Sequence, residues 1–259
     1  MQLGLEGKTA LVMGGSQGLG RACAHALARE GVAVTIFARN QARLAAAAAE
    51  IGAATGRPVA WVAGDFTTGA GRAAALAQCP TPDILINNAE GMPPGDFHDW
   101  TRAIWLRALE DMMLAPIEMM RATIDPMIAR RFGRIINITS RSVKDPQAEL
   151  GLSNGARTGL AGFCAGLARK VVAHNVTINN LLPGIFASGA QTKHVEGLVR
   201  MTGRPFEAIW AERAKGNPAG RYGDPAELGD LCAFLCSAQA GFITGQSVLI
   251  DGGSYPGTF

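Results

Sequence analysis

Seven short runs of apolar, mostly β-branched residues recur along the chain, and longer stretches of helical composition lie between them. The runs are Thr9–Met13, Ala33–Phe37, Val59–Ala63, Ile84–Asn87, Arg134–Ile138, Thr177–Leu181 and Ser247–Ile250. Most are continuous in apolar character rather than alternating, the pattern of strands covered on both faces. Helical stretches fall near Leu19–Glu30, Gln41–Ile51, Gly71–Gln78, Trp100–Arg131, Gly155–His174 and Pro225–Ser237. This alternation predicts an α/β architecture: one doubly wound parallel sheet of seven strands with helices on both faces. No linker or solenoid-length repeat interrupts it, so residues 1–259 are expected to form a single domain. Only Ser188–Gly220 breaks the rhythm. An insertion after the sixth strand would overhang the carboxyl ends of the strands, where doubly wound sheets bind ligands, so it is expected to be a substrate lid. Its apolar residues (Val195, Leu198, Val199, Met201, Phe206, Ile209, Trp210) fit an amphipathic lid or a plain packed helix pair equally well.

Composition narrows the class of partner. With 48% hydrophobic and 17% charged residues the chain is not a disordered one. A net charge of +3 is too small to argue for nucleic acid or an anionic membrane. Charged or polar residues interrupt every apolar stretch before about 18 residues, which excludes a spanning helix. The opening MQLGLEGKTALV lacks a basic segment followed by an apolar one, so no secretory signal is read. The five cysteines (Cys23, Cys79, Cys164, Cys232, Cys236) are odd in number and scattered. Cys232 and Cys236 share a helix-like apolar run but no second pair accompanies them, which favours buried thiols over a metal site. A reducing cytoplasm is the expected setting.

The first turn carries the chemistry. Directly after the first strand come Gly14, Gly15, Ser16, Gln17, Gly18, Leu19 and Gly20, and a helix follows. Glycine is needed where a backbone turns tightly and approaches a pyrophosphate. The helix N-terminus then offers free N–H groups and a positive dipole end. At strand one this reads as a dinucleotide site rather than a plain βα turn. The second strand ends in Ala38 and Arg39. Ala38 cannot accept a hydrogen bond from a ribose 2′-hydroxyl, as the acidic residue of an NAD site does, whereas Arg39 could pair with a 2′-phosphate. NADP(H) is therefore favoured over NAD(H), the alternative for Arg39 being a solvated surface charge.

The spacing of this turn resembles the cofactor loop of the short-chain dehydrogenases/reductases. Later motifs carry the resemblance from about Gly7 to Gly253: Asn87-Asn88-Ala89 at the end of strand four, and Gly133 to Ser140 through strand five. Asn179, Pro183 and Gly184 follow at strand six, then Gly220 to Glu227 and Asp251-Gly252-Gly253. The closing motifs are most similar to those of 3-oxoacyl-carrier-protein reductase-like members. The resemblance implies a Rossmann fold, a small-molecule substrate, and a homotetramer or homodimer built through the long helices Trp100–Arg131 and Gly155–His174. It also implies cofactor contacts from Gly14, Ser16, Gln17, Gly18, Leu19, Gly20, Arg39, Asp65, Phe66, Asn88, Ala89, Pro183, Gly184, Ile185 and Ser188. Asp65 is expected at the adenine, or as a helix cap. In the family motif Asn-Asn-Ala-Gly, Glu90 replaces the last residue.

The catalytic positions depart from the pattern. The family uses serine, tyrosine, lysine and a supporting asparagine; the matching positions here are Ser140, Ser153 and Arg157, with Met112 at or beside the asparagine. The only tyrosines are Tyr222 and Tyr255, both in or after the C-terminal motifs. Serine is far less acidic than tyrosine and a poor replacement as proton donor. Arg157 stays charged and could hold ribose hydroxyls beside the cofactor. Ser140 could instead be a turn serine, and Ser153 an N-cap of the Gly155 helix. Three functions stay open: an NADP(H)-dependent oxidoreductase with a modified site acting on a carbonyl, alcohol, imine or activated acceptor; a nucleotide-binding protein without redox activity; and a non-redox lyase or isomerase.

Overall fold

The computed structural model describes residues 2–258. Among them seven strands form one parallel sheet: β1 (Thr9–Met13), β2 (Ala33–Ala38), β3 (Ala60–Ala63), β4 (Ile84–Asn88), β5 (Gly133–Ile138), β6 (Val176–Pro183) and β7 (Ser247–Ile250), in the order β3-β2-β1-β4-β5-β6-β7. The order reverses between β1 and β4, so a crevice opens there at the carboxyl ends of the strands.

The alternation of side chains along β1 divides the core. Ala10 and Val12 face one layer with α1 (Gly18–Arg29) and α2 (Gln41–Thr55), while Leu11 and Met13 face the other. The second layer contains α3 (Gly69–Gln78), α5 (Ala115–Ala129) and α6 (Gly151–Val171). The first is completed by α9 (Pro225–Cys236), packed so closely on α1 that a Cβ at Gly229 would lie 2.6 Å from the Ala22 carbonyl oxygen. Cys232 and Cys236 lie wholly inside this layer, their thiols raised well above the ordinary range. No helix among the described residues is long and apolar enough to cross a membrane.

Two helical stretches differ from the sequence expectation in ways that bear on the site. The stretch Trp100–Arg131 is not one helix: α4 (Arg102–Leu109) and α5 are joined by a wide π-type turn over Glu110–Leu114. Pro116, at the start of α5, lacks the N–H that an α-helix would direct at the Met112 carbonyl, a local reason for the widening. The helix expected from Gly155 begins four residues earlier, at Gly151, which places Ser153 inside its first turn rather than at its cap.

The strands also carry a polar seam. Asn87, Asn137 and Asn180 lie side by side across β4, β5 and β6. The Asn87 amide donates to Asn137 Oδ1 (2.9 Å), Asn137 donates to Asn180 Oδ1 (3.1 Å), and Asn180 donates to Ser247 Oγ (3.2 Å). Buried amides need such partners, since an unpaired one costs about 1–3 kcal/mol. The seam fixes the register of four strands whose ends build the cleft.

Candidate active site

The glycine turn is set by backbone contact. Gly14 and Gly18 have positive φ (65° and 56°), open to glycine at little cost. A Cβ at Gly20 would lie 2.3 Å from the Gly14 carbonyl oxygen and 2.7 Å from Asn88 Nδ2, so α1 is drawn tight against the end of β1. Asn88 secures the same turn by donating to the Gly14 carbonyl (3.3 Å). Gln17 occupies the N-cap of α1 without a side-chain capping bond, which leaves first-turn N–H groups free for an anion. Ser16, Gln17, Gly18 and Leu19 therefore form an open rim, and a Cβ on Gly18 would stand 3.7 Å from Ser188 Cβ across the cleft.

The remaining expected contacts reach the same edge of the sheet from different strands. Arg39 follows β2 and is exposed. Arg43, one turn into α2, donates to the Gln17 side chain (3.3 Å) and sets a second guanidinium beside the glycine turn. In the sequence Arg43 looks like an ordinary exposed helix residue, and only the fold brings it to Gln17. Asp65 Oδ1 accepts from the Thr67 backbone N–H (3.0 Å) and hydroxyl (2.8 Å), and the backbone bond holds its carboxyl below the usual range. It closes a local turn, while Thr68 caps α3. Phe66 is half-buried against the second core layer. Ala89 follows β4, Pro183 ends β6, and Gly184 and Ile185 lead on to Ser188. Ser188 caps α7 (Gly189–Thr202), accepting from Gln191 N–H (3.4 Å).

At the positions matching the family's catalytic set, Ser140 lies two residues beyond β5 and accepts from the Ser142 N–H (3.1 Å), so it caps the short turn Arg141–Val143. Its own hydroxyl hydrogen is left for another acceptor. Ser153 is buried, and its oxygen accepts from Arg157 Nε (3.1 Å). Arg157 is buried too. Its Nη1 donates to the carbonyls of Ile138 (3.0 Å) and Thr139 (2.9 Å), and Nη2 donates to the Ala89 carbonyl (3.2 Å). Four of the five guanidinium N–H groups are thus spent on the protein. Burial lowers its pKa to about 10, which still leaves it cationic at neutral pH. Rather than an anion, it finds backbone carbonyls at the ends of β4 and β5. It bolts those ends to α6.

Removing that bolt strands three carbonyls. Arg157→Ala is expected to cost about 2–4 kcal/mol and to lower Tm by roughly 5–15 °C, read by thermal denaturation without ligand. A shift under about 2 °C would mean that the guanidinium does not hold the strand ends.

Where the family places asparagine, Met112 is buried in an apolar cluster with Ala108, Leu152 and Ala156. Both tyrosines lie outside the β5–α6 segments that carry Ser140, Ser153 and Arg157. Tyr222 donates to the Trp210 carbonyl (3.0 Å) and stacks on the Trp210 ring, and burial raises its pKa. Tyr255 lies in the tail, its backbone N–H bound to Asp251 Oδ2 (2.8 Å).

The insertion folds as α7 and α8 (Phe206–Gly216). A Cβ at Gly197 would lie 2.8 Å from Pro94, so α7 rests on the segment leaving β4. Among the described residues, Gln191 Nε2, His194 Nε2 and Arg213 Nε are shielded from solvent without hydrogen-bond partners. Burial pushes the His194 pKa down to about 4. In the sequence these residues look like ordinary surface polarity on an amphipathic helix, and only folding shows that they are covered.

The same fold occurs in known proteins. The chain is 32% identical to an NADPH-dependent reductase, BacG, of Bacillus subtilis, over 95% of this chain and 97% of that protein. It is 31% identical to a 3-oxoacyl-[acyl-carrier-protein] reductase of Vibrio harveyi, over 98% and 99% of the two chains. The L-sorbose reductase of Gluconobacter frateurii, solved in complex with NADPH and L-sorbose, superposes with a TM-score of 0.92 at 28% identity, covering 99% of this chain and 100% of that one. The short chain dehydrogenase pattern matches residues 8–198. The chain belongs to the short-chain dehydrogenase family.

Proposed function

We propose that this protein is an NADP(H)-dependent oxidoreductase that moves a hydride to or from a small, oxygen-rich carbonyl or alcohol, using a weakened proton donor. The observation that carries the reading is the cleft mouth. A glycine turn with free helix N–H groups lies beside two guanidiniums, Arg39 and Arg43, and β2 ends with no carboxylate. That donor set fits a pyrophosphate and a 2′-phosphate. The cradle at Gly14 and Gly20 has room for backbone and none for a side chain. Relatives described as NADPH-dependent support it.

Gly14, Ser16, Gln17, Gly18, Leu19 and Gly20 would hold the pyrophosphate, with Asp65, Phe66, Asn88 and Ala89 along the adenosine half. Pro183, Gly184, Ile185 and Ser188 would border the nicotinamide. When bound, the cofactor supplies or accepts the hydride. Ser140 keeps a free hydroxyl hydrogen and orients the substrate oxygen. Ser153 offers a second O–H. Because its oxygen already accepts from the Arg157 cation, the hydroxyl is polarised toward release of its proton. The Ser153–Arg157 pair is thus an attenuated counterpart of a tyrosine–lysine pair. It suits substrates whose carbon is already activated, such as iminium or conjugated acceptors, better than plain ketones. Gln191, His194 and Arg213 give the lid unpaired polar groups that an oxygen-rich substrate would satisfy.

Residues 188–220 act as the lid of a single domain, and the protein works in the cytoplasm as a homodimer or homotetramer. Leu106, Leu114 and Phe163 support the assembly, for they are 52%, 44% and 40% exposed along α4, the π-type turn and α6.

Titration with NADPH and NADH tests the reading. NADPH is expected to bind more tightly, and Arg39→Ala to weaken it at least tenfold. Absence of binding by either nucleotide would remove the proposal. A second reading, nucleotide binding without redox chemistry, is favoured by the structural use of Arg157. It predicts tight NADPH binding with no oxidation of bound NADPH across a panel of carbonyls and imines.

A further inference from the structure

Glu90 stands where the family motif has glycine, and its side chain is not idle. One carboxylate oxygen pairs with Arg39 at the end of β2, and the other with Lys193 on α7. The end of β2, the segment after β4 and α7 are thereby joined through one residue. The hydrogen bond from Lys193 holds the Glu90 carboxyl below the usual carboxylate range. The side chains of Arg39, Glu90 and Lys193 are 64%, 48% and 61% exposed. Ion pairs this exposed are weak and exchange readily.

We infer that Glu90 is a specificity-determining residue for the cofactor: it occupies Arg39 as an internal anion, competes with the 2′-phosphate of NADPH, and narrows the preference for NADPH over NADH. The inference rests on the cofactor reading above. A phosphate monoester carries more charge and more acceptor oxygens than a carboxylate and can take Arg39 from Glu90. The displaced carboxylate then remains within a few ångströms of the phosphate, since both acceptors meet the same guanidinium, and like charges at that range repel. A ribose 2′-hydroxyl is neutral and meets no such repulsion. A glycine at this position would have no such effect.

The test is calorimetric titration of wild type, Glu90→Gln, Arg39→Ala and the double variant with NADPH and with NADH. Because both pairs of Glu90 are exposed, Glu90→Gln is expected to fold with an unchanged Tm. It should bind NADPH about tenfold more tightly and NADH within about twofold of wild type. In the Arg39→Ala background the gain should shrink to under about threefold, because the 2′-phosphate, no longer held by Arg39, is not drawn up against the Glu90 carboxylate. Unchanged NADPH affinity, a shift equal for both nucleotides, or a gain that persists in full without Arg39 would overturn the inference while leaving the cofactor reading intact. Wild type that binds neither nucleotide would overturn both.

Discussion

Alanine at Gly20 is expected to weaken NADPH binding by at least about a hundredfold. The new Cβ would need to sit 2.3 Å from the Gly14 carbonyl oxygen and 2.9 Å from its carbonyl carbon. Those are backbone atoms at the tightest point of the turn, so no rotamer can relieve the contact. The turn must open, and the first N–H groups of α1 then no longer converge with the rim at Ser16 and Gln17. Overpacking of this kind also costs about 1–3 kcal/mol of stability. Calorimetry with NADPH alongside thermal denaturation separates the two effects. Binding within a few-fold of wild type would show that the glycine turn does not cradle the phosphates.

The second large effect runs the other way. Installing the family residues together, Ser153→Tyr with Arg157→Lys, is expected to raise the rate of ketone reduction by about 10²–10⁴-fold, the usual contribution of general acid–base catalysis. A tyrosine starts near pKa 10 and a neighbouring cation lowers it toward working pH, which no serine hydroxyl matches. The gain should appear in kcat with plain ketones and be small with iminium substrates, which need no simultaneous proton. It comes at a structural cost, because lysine cannot reproduce the four hydrogen bonds of Arg157 to Ser153, Ile138, Thr139 and Ala89. The double variant is therefore expected to be faster and less stable. Equal rates for wild type and double variant on ketones would mean that proton transfer does not limit the wild-type reaction.

The strands were legible because parallel strands buried on both faces must be apolar runs, and two of the seven, Thr9–Met13 and Ser247–Ile250, match their expected limits at both ends. Helix limits were less legible where backbone hydrogen bonding decides them. The π-type turn before Ala115 depends on a missing N–H at Pro116, and periodicity carries no trace of it. The asparagine seam was hidden for a related reason. Asn87, Asn137 and Asn180 each look like a break in an apolar run, and their mutual pairing appears only when the register aligns them. Within the site, the glycine turn could be read from spacing alone, since the demand for glycine is local. The partners of Arg157 could not, for they are carbonyls, which every residue possesses. Glu90 reads as a defect in a motif until Arg39 and Lys193 are brought to it from residues about 51 and 103 positions away.

A bound nicotinamide is proposed to exchange hydride with a substrate in a cleft lacking the family tyrosine. The most direct measurement uses NADPH carrying deuterium at the transferring position of the nicotinamide. Purified protein is incubated with polyhydroxylated ketones, conjugated acceptors and cyclic imines, and products are analysed by mass spectrometry. The account predicts one deuterium in the reduced product for each NADPH oxidised, with activated acceptors and imines turned over faster than plain ketones. NADPH that binds tightly yet stays reduced across the whole panel, or product formed with no deuterium and no cofactor oxidised, would contradict it.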